Sequence, residues 1–276
     1  MHRCISRVLP ASALIASFAI PMAAHAADDG LQAAIAGTQR SAANVARDPA
    51  RHPLETLRFF GIAPTMTVVE LTPGGGWYTE ILAPYLKPQG RLIAAGDDPA
   101  STDDYASKSG QRMIKKFGAA PETFGKVTIA VFDPPSKLTF APAGSVDMVL
   151  TFRNIHNWIA ELDEPGLKQT FAAIYASLKP GGVFGVVEHR LPETMTQDAK
   201  ASSGYVHPSF VIKLAEGAGF KLAAQSEINA NPKDKAEYPK GVWTLPPTYA
   251  NGETDRSRYA AIGESDRMTL KFVKPK

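Results

Sequence analysis

The chain has 276 residues, with 30 Lys and Arg against 27 Asp and Glu and a formal net charge of +3. This near balance excludes the strongly basic surface that nucleic acids or acidic membranes attract, so we expect neither as a partner. The length suffices for one α/β domain with a complete core.

The first 26 residues have the pattern of a cleavable signal peptide. Arg3 and Arg7 precede a mostly apolar run, and Ala24-His25-Ala26 is a small-residue cleavage site. A transmembrane anchor is the alternative, but prolines in the run and acids directly after it disfavour that interpretation. We therefore predict cleavage after Ala26, export to the periplasm or beyond, and no stable membrane anchor.

The cysteine content limits the chemistry. The only cysteine, Cys4, lies within the predicted signal. The mature chain would then have no disulfide, no thiolate nucleophile and no cysteine zinc site. His156, His189 and an aspartate could bind a metal, but their spacing indicates no metal site, and we predict none.

The segment after the signal reads as helical from Asp28 to Phe60 and forms a predicted N-terminal cap over residues 27–63. Between its helices the charge is unusually dense. Residues 47–53 are either a solvated connector or a cap that places Arg47, Arg51 or His52 over a ligand's carboxylate.

Residues 64–276 alternate strands with helices, which predicts a mostly parallel sheet. A late strand reached by a long excursion indicates one antiparallel edge strand, so the expected fold is a doubly wound, seven-stranded α/β sheet. Helices are expected at 101–117, from Asp163, and from Pro208. The predicted strands start at Met66 and otherwise cover 90–95, 127–132, 146–152, 183–187, 220–227 and 267–273.

The first strand leads into a glycine turn and then a helix. Glu70 ends the strand, Gly74, Gly75 and Gly76 form the turn, and Tyr78 follows in the helix. Such a turn brings the backbone close to a nucleotide-like ligand. Ligands of these sheets lie beyond the carboxyl ends of the strands. Polar residues gather at those ends, namely Asp97, Asp133, Arg153 to His156, and Glu188 to Arg190.

These motifs resemble the class I, Rossmann-like S-adenosylmethionine (SAM)-dependent methyltransferases. Glu70 to Gly76 is similar to their first motif, with Thr72 in place of the first glycine. Residues 145–149 and 178–188 resemble the fourth-strand motif and the turn into the fifth strand. The amino-acid sequences of residues 73–84 and 262–270 resemble those of a predicted exported branch of that family.

The resemblance implies that SAM is the cofactor and assigns residue roles. Asp97, or Asp98 beside it, would bind the ribose, and Asp133 would contact the adenine. His156 would face the methyl group, His189 and Arg190 could hold an acidic substrate, and Tyr78 would lie near the methionine part. The implied cofactor-binding residues are Glu70, Thr72, Gly74, Gly76, Asp97, Asp133 and Arg153, and the implied catalytic residues are His156, His189 and Tyr78.

The resulting hypothesis is a SAM-dependent methyltransferase acting on an unidentified small molecule. The first alternative is an exported, non-catalytic binding protein for S-adenosylhomocysteine or a nucleoside, and the second is another enzyme, such as a lyase, on the same fold. Other interpretations also remain open for single residues. His156 could cap its strand, His189 and Arg190 could pair with Glu188, and Tyr78 could only pack the core.

Residues 229–266 form an insertion too long for a plain connection between strands. Trp243 and several tyrosines lie within it, and burial of large aromatic side chains orders a chain. We expect an ordered lid in which Trp243 covers the ligand pocket and Arg256 or Arg258 lies near its rim. A surface wrap far from the ligand is the alternative.

Overall fold

The computed structural model describes the backbone of residues 20–276 and the side chains of residues 28–276. The predicted signal segment up to residue 19, with Cys4, lies outside the described residues. The described part of helix α1 begins at Ile20 and therefore includes the predicted cleavage site. Among the described residues, no helix combines the length and the apolar character needed to cross a membrane.

The predicted fold class is confirmed. Seven strands form one sheet in the order β3-β2-β1-β4-β5-β7-β6. β7 runs antiparallel to both of its neighbours and lies beside the edge strand β6, while the other neighbouring strands pair in parallel. The strands are β1 (Thr67–Leu71), β2 (Arg91–Gly96), β3 (Thr128–Val131), β4 (Val146–Phe152), β5 (Leu178–His189), β6 (Lys221–Ser226) and β7 (Arg267–Val273).

Helices cover both faces of this sheet because alternate residues of its central strands are buried on opposite sides. Val69 and Val149 belong to the core beneath α8, α9 and α10, whereas Val68 and Met148 belong to the core beneath α1 and α4 to α7. The helices are α1 (Ile20–Ala36), α2 (Ala42–Val45), α3 (Asp48–Arg51), α4 (Pro53–Phe60), α5 (Thr79–Leu86), α6 (Asp104–Gly118), α7 (Pro121–Phe124), α8 (Ile155–Glu161), α9 (Glu164–Ser177), α10 (Pro208–Gly217) and α11 (Arg256–Ile262), with a 3₁₀ turn at Gly241–Thr244.

The N-terminal helices α1 to α4 pack against the domain that follows them. Phe60 of α4 is fully buried, and a Cβ atom at Gly185 in β5 would lie 2.9 Å from its ring. The missing side chain of Gly185 therefore allows α4 to approach the sheet closely. This contact positions the short helix α3, which carries Arg51, near the carboxyl ends of β4 and β5.

Candidate functional site

A cavity of about 260 Å³ opens beyond the carboxyl ends of β4 and β5, where ligands of α/β sheets bind. Its wall combines the N-terminal segment, the loop after β4, the end of β5, the 229–266 insertion and the start of β7. The residues that line it are Arg47, Arg51, Arg153, His156, His189, Val242, Trp243, Pro246, Pro247, Thr248, Glu264, Ser265 and Arg267.

His156 is buried in the first turn of α8 and faces this cavity. Its Nδ1 lies 3.0 Å from Oε1 of Glu188. An ionised carboxylate only accepts hydrogen bonds, so this contact assigns the proton of a neutral His156 to Nδ1. Nε2 then presents its lone pair to the cavity and can accept a proton from a bound molecule.

Glu188 holds His156 in this orientation from a fully buried position at the end of β5. Its Oε2 accepts the backbone N–H of Ile155 at 2.7 Å and that of His156 at 3.3 Å, and its Oε1 accepts the N–H of His189 at 2.8 Å. These donors compensate for the cost of burying the carboxylate. Glu188 therefore orients His156, a role that its position at the end of the strand does not predict.

His189 lies beside His156, with the ring centroids 5.4 Å apart. Its Nδ1 is hydrogen-bonded to Oγ of Ser265. Burial, and then the neighbouring charges of His156 and Arg153, hold the pKa of His189 well below its usual value. His189 is therefore a neutral, polar wall of the cavity.

Arg190 points away from the cavity. It forms ion pairs of 2.7 Å with Glu227 and with Asp266, and not with Glu188. The two basic residues at the end of β5 therefore differ in role: His189 lines the cavity, whereas Arg190 is structural.

Tyr78 has no place in this cavity. Its ring stacks on Phe152 with centroids 3.5 Å apart, and its hydroxyl contacts the backbone oxygen of Arg51 at 3.4 Å. The neighbouring Trp77 donates its Nε1–H to the carbonyl of Asn44 at 2.9 Å. Both aromatic residues fasten the N-terminal segment, so the contacts support the packing interpretation of Tyr78 rather than the catalytic one.

The glycine turn forms a second, open surface at the end of β1. A Cβ atom at Gly74 or Gly75 would meet no heavy atom within 4 Å, whereas one at Gly76 would lie 3.3 Å from Nζ of Lys116. Gly74 and Gly76 adopt positive φ angles of 56° and 75°, and Thr72 has a φ of 45°. The turn therefore leaves open space beside Gly74 and Gly75, while Lys116 donates a hydrogen bond of 2.6 Å to the carbonyl oxygen of Gly75 and covers Gly76.

Glu70 lies beneath the glycine turn and not on its open surface. It is 2% exposed, and its Oε2 accepts a hydrogen bond of 2.6 Å from the Thr79 hydroxyl. Burial raises the pKa of Glu70 to about 7, although the hydrogen bond and Lys116 oppose the shift. The carboxylate thus supports the start of α5 from within the core.

The predicted adenosine-binding acids lie at the ends of β2 and β3. Asp98 is buried and pairs with Lys137 and the backbone N–H of Ala100, whereas Asp97 is half-buried. Burial, and then repulsion from Asp97 and Asp98, raises the pKa of Asp133. Asp97 and Asp133 are therefore close enough to interact, and of the two adjacent acids Asp97 is the one whose carboxylate is not engaged by Lys137.

The structure places Trp243 at the cavity, with its ring 5.9 Å from that of His156 and its side chain 38% exposed. The arginines expected at the rim are different ones. Arg256 covers the ring of Tyr249 at 4.0 Å and Arg258 lies over Tyr259 at 5.9 Å, and neither lines the cavity.

Four other arginines, Arg47, Arg51, Arg153 and Arg267, surround the cavity instead. The sequence suggests Arg47 and Arg51 only as a possible cap and assigns Arg153 to the cofactor. We assigned no role to Glu264, Ser265 or Arg267, although they lie within the family-like wording of residues 262–270. Only the fold brings these residues together.

Comparisons with known proteins identify the fold. No protein-family model and no curated protein sequence matches the chain. A SAM-dependent methyltransferase from Aquifex aeolicus is similar in structure, with a TM-score of 0.53 and 15% identity over 83% of this chain and 93% of its own. A geranyl diphosphate methyltransferase in complex with SAM gives a TM-score of 0.50 and 14% identity over 88% and 94% of the two chains. The CurJ carbon methyltransferase gives 0.51 and 13% over 90% and 59%. The chain has the fold of SAM-dependent methyltransferases.

Proposed function

We propose that the protein is a SAM-dependent methyltransferase that acts on a small molecule. The observation that carries this proposal is the buried His156–Glu188 contact at a cavity on the ligand side of a methyltransferase fold, because a neutral His156 that donates Nδ1–H to Glu188 has Nε2 free to accept a proton. A non-catalytic binding protein would have no use for such a base. The pair therefore favours an enzyme over the alternative of a binding protein for S-adenosylhomocysteine or a nucleoside.

The open glycine turn supports SAM as the cofactor. Gly74 and Gly75 border open space, and Asp97 and Asp133 follow β2 and β3, where their carboxylates would accept hydrogen bonds from ribose and adenine. Thr72 retains the positive φ that a glycine would adopt in this motif. These residues fit the cofactor. Glu70 and Gly76 would support the turn from beneath, and we now group Arg153 with the cavity.

When bound, SAM supplies an electrophilic methyl group on a sulfonium. The protein then has to align the acceptor and remove its proton where necessary. His156 Nε2 would take that proton, and Glu188 would stabilise the resulting imidazolium through Nδ1–H. Trp243 and Pro246 would restrict water at the outer wall of the cavity.

Calorimetry with S-adenosylhomocysteine tests the cofactor. We expect saturable binding to the wild type and its loss in Gly75→Val, because the new side chain would enter the space beside the turn, where a Cβ atom meets no heavy atom within 4 Å. Gly76→Val is a poorer test because its positive φ and its contact with Lys116 would strain the fold. Absence of S-adenosylhomocysteine and SAM binding to the wild type at millimolar concentration would refute the proposal.

Export is a separate part of the proposal, and it rests on the sequence pattern of residues 1–26 and the family-like wording. The mature protein would begin at Ala27 and retain Leu31 and Ala34 of α1, both of which are buried against the domain. N-terminal sequencing of protein from the exported fraction tests this. A cytosolic pool with Met1 retained would contradict it.

A further inference from the structure

The charge around the cavity is unbalanced. Four guanidinium groups line it, and Glu264 is the single carboxylate among its described lining residues. Glu264 pairs with Arg47 at 2.6 Å and with Arg267, and lies 3.5 Å from Arg51. The lining arginines and Glu264 therefore carry a formal excess of about three positive charges, since arginine stays protonated in proteins.

Arg51 carries buried donors without hydrogen-bond partners in the described part of the chain. It is 3% exposed, and its Nε and Nη1 have no hydrogen-bond partner among the described residues. A buried donor without an acceptor costs free energy, more so when it is charged. Burial, and then the charges of Arg153 and Arg47, lower the pKa of Arg51. An anion in the cavity would supply the missing acceptors.

The proposed cofactor cannot provide this balance. Its methionine part carries one carboxylate and one ammonium, and its sulfonium is positive, so its presence adds to the excess charge. A negatively charged acceptor would therefore offset the guanidinium groups and would be attracted to a positively charged cofactor.

A bound metal ion would also increase the excess positive charge of the cavity. His156, Glu188 and His189 place ligand-type atoms within 4.8 Å of one another. However, the Glu188 carboxylate already accepts three backbone N–H groups as well as the His156 ring. A cation would in addition face the arginines, so the trio is suited to proton transfer.

We propose that the methyl acceptor is an oxyanion, held by its carboxylate or phosphate group between Arg51 and Arg153. That the anion accepts a methyl group depends on the proposed function. That the cavity binds an anion depends only on the arginines. Planar guanidinium groups bind either oxyanion through paired N–H donors. The cavity volume of about 260 Å³ fits a small molecule, and His156 lies in the same wall to receive the proton of its nucleophile.

Inorganic phosphate and malonate are suitable probes for calorimetry on the full chain. We expect the wild type to bind at least one of them, and the preference between them to distinguish phosphate from carboxylate recognition. Arg51→Gln and Arg153→Gln should each weaken binding by about tenfold or more, the effect of losing a charged hydrogen bond. Arg51 is buried, so Arg51→Gln could fail to fold. Arg153→Gln is the second test because Arg153 forms no ion pair among the described residues that the substitution would break.

Arg256→Gln is the matched control. Arg256 belongs to the same insertion as Trp243 but stacks on Tyr249 outside the cavity, so this variant should bind the probes as the wild type does. Circular dichroism and thermal melting of each variant identify any loss of fold.

Parallel titration with S-adenosylhomocysteine separates the possible outcomes. Retained S-adenosylhomocysteine binding with lost phosphate or malonate binding in Arg153→Gln supports the proposal. Lost S-adenosylhomocysteine binding with unchanged anion binding would assign the arginines to the cofactor's carboxylate and overturn it. No binding of either anion to the wild type at millimolar concentration would also overturn it. Anion binding without any S-adenosylhomocysteine binding would refute the methyltransferase function and leave the anion site standing.

Discussion

Glu70→Gln should remove a pH dependence of stability that originates in the core. The pKa of Glu70 is raised from 4.5 to about 7, mainly by burial. Between these two values the folded state binds more protons than the unfolded state, so the free energy of unfolding falls as pH rises. One pKa unit corresponds to about 1.4 kcal/mol, so the full loss approaches about 3 kcal/mol, of which about 2.5 kcal/mol falls between pH 5 and pH 8.

Glutamine has nearly the same shape as glutamate, stays neutral, and can accept the hydrogen bond from Thr79. Urea unfolding of Glu70→Gln and wild type at several pH values would measure the effect. We expect similar stabilities near pH 5 and a variant that is about 2 to 3 kcal/mol more stable at pH 8. All other titrating groups are shared, so the difference isolates Glu70. Glu122→Gln, at an exposed position of α7, is the control and should follow the wild type. Equal pH profiles for Glu70→Gln and wild type would refute the reasoning.

Three further predictions concern the cavity. Glu188→Gln should weaken the preference of His156 for a proton on Nδ1, and nitrogen NMR of the ring would detect the change; an unchanged tautomer would contradict the role of Glu188. Trp243→Ala should weaken anion or S-adenosylhomocysteine binding and lower the free energy of unfolding only slightly. Trp158 is a core residue that is 4% exposed, so Trp158→Ala should lower the free energy of unfolding by about 3 to 5 kcal/mol in urea. Equal destabilisation by the two would argue against Trp243 as a cavity wall. Glu264→Gln should strengthen phosphate binding in calorimetry while lowering the melting temperature, because it removes the carboxylate that balances the arginines; weaker binding would contradict the charge argument.

Much of the fold follows from local sequence. β4 and β7 have the predicted bounds because β4 is a mostly apolar run and β7 alternates polar with apolar residues, both patterns of a strand. The helix expected from residue 101 begins instead at Asp104, because the side chain of Asp103 caps it by accepting the N–H of Ala106 at 2.8 Å. β5 begins at Leu178 rather than Val183, since Leu178 already pairs with Val146 ahead of an irregularity in the register. Such shifts depend on contacts between segments and leave the order of elements unchanged.

The candidate site divides into a part that local sequence predicts and a part that it does not. The glycine turn and the acids at the ends of β2 and β3 occur at fixed offsets along the chain, so their grouping follows from the parallel sheet. The arginine cavity has no such spacing. The Arg47–Glu264 ion pair and the hydrogen bond from Arg267 to the carbonyl of Ala50 each join residues 217 positions apart. No local pattern predicts contacts between two segments at opposite ends of the domain.

The two parts are nevertheless connected through the residues that follow the glycines. Trp77 lies under the guanidinium groups of Arg40 and Arg51, at 4.9 Å and 4.7 Å from their carbon atoms. Tyr78 contacts the backbone oxygen of Arg51. The turn proposed to hold the cofactor thus leads directly into the aromatic pair that fixes Arg51 at the cavity. Because Arg51 is held before any ligand arrives, little side-chain entropy would be lost when an anion binds, and that favours tight binding in a small cavity.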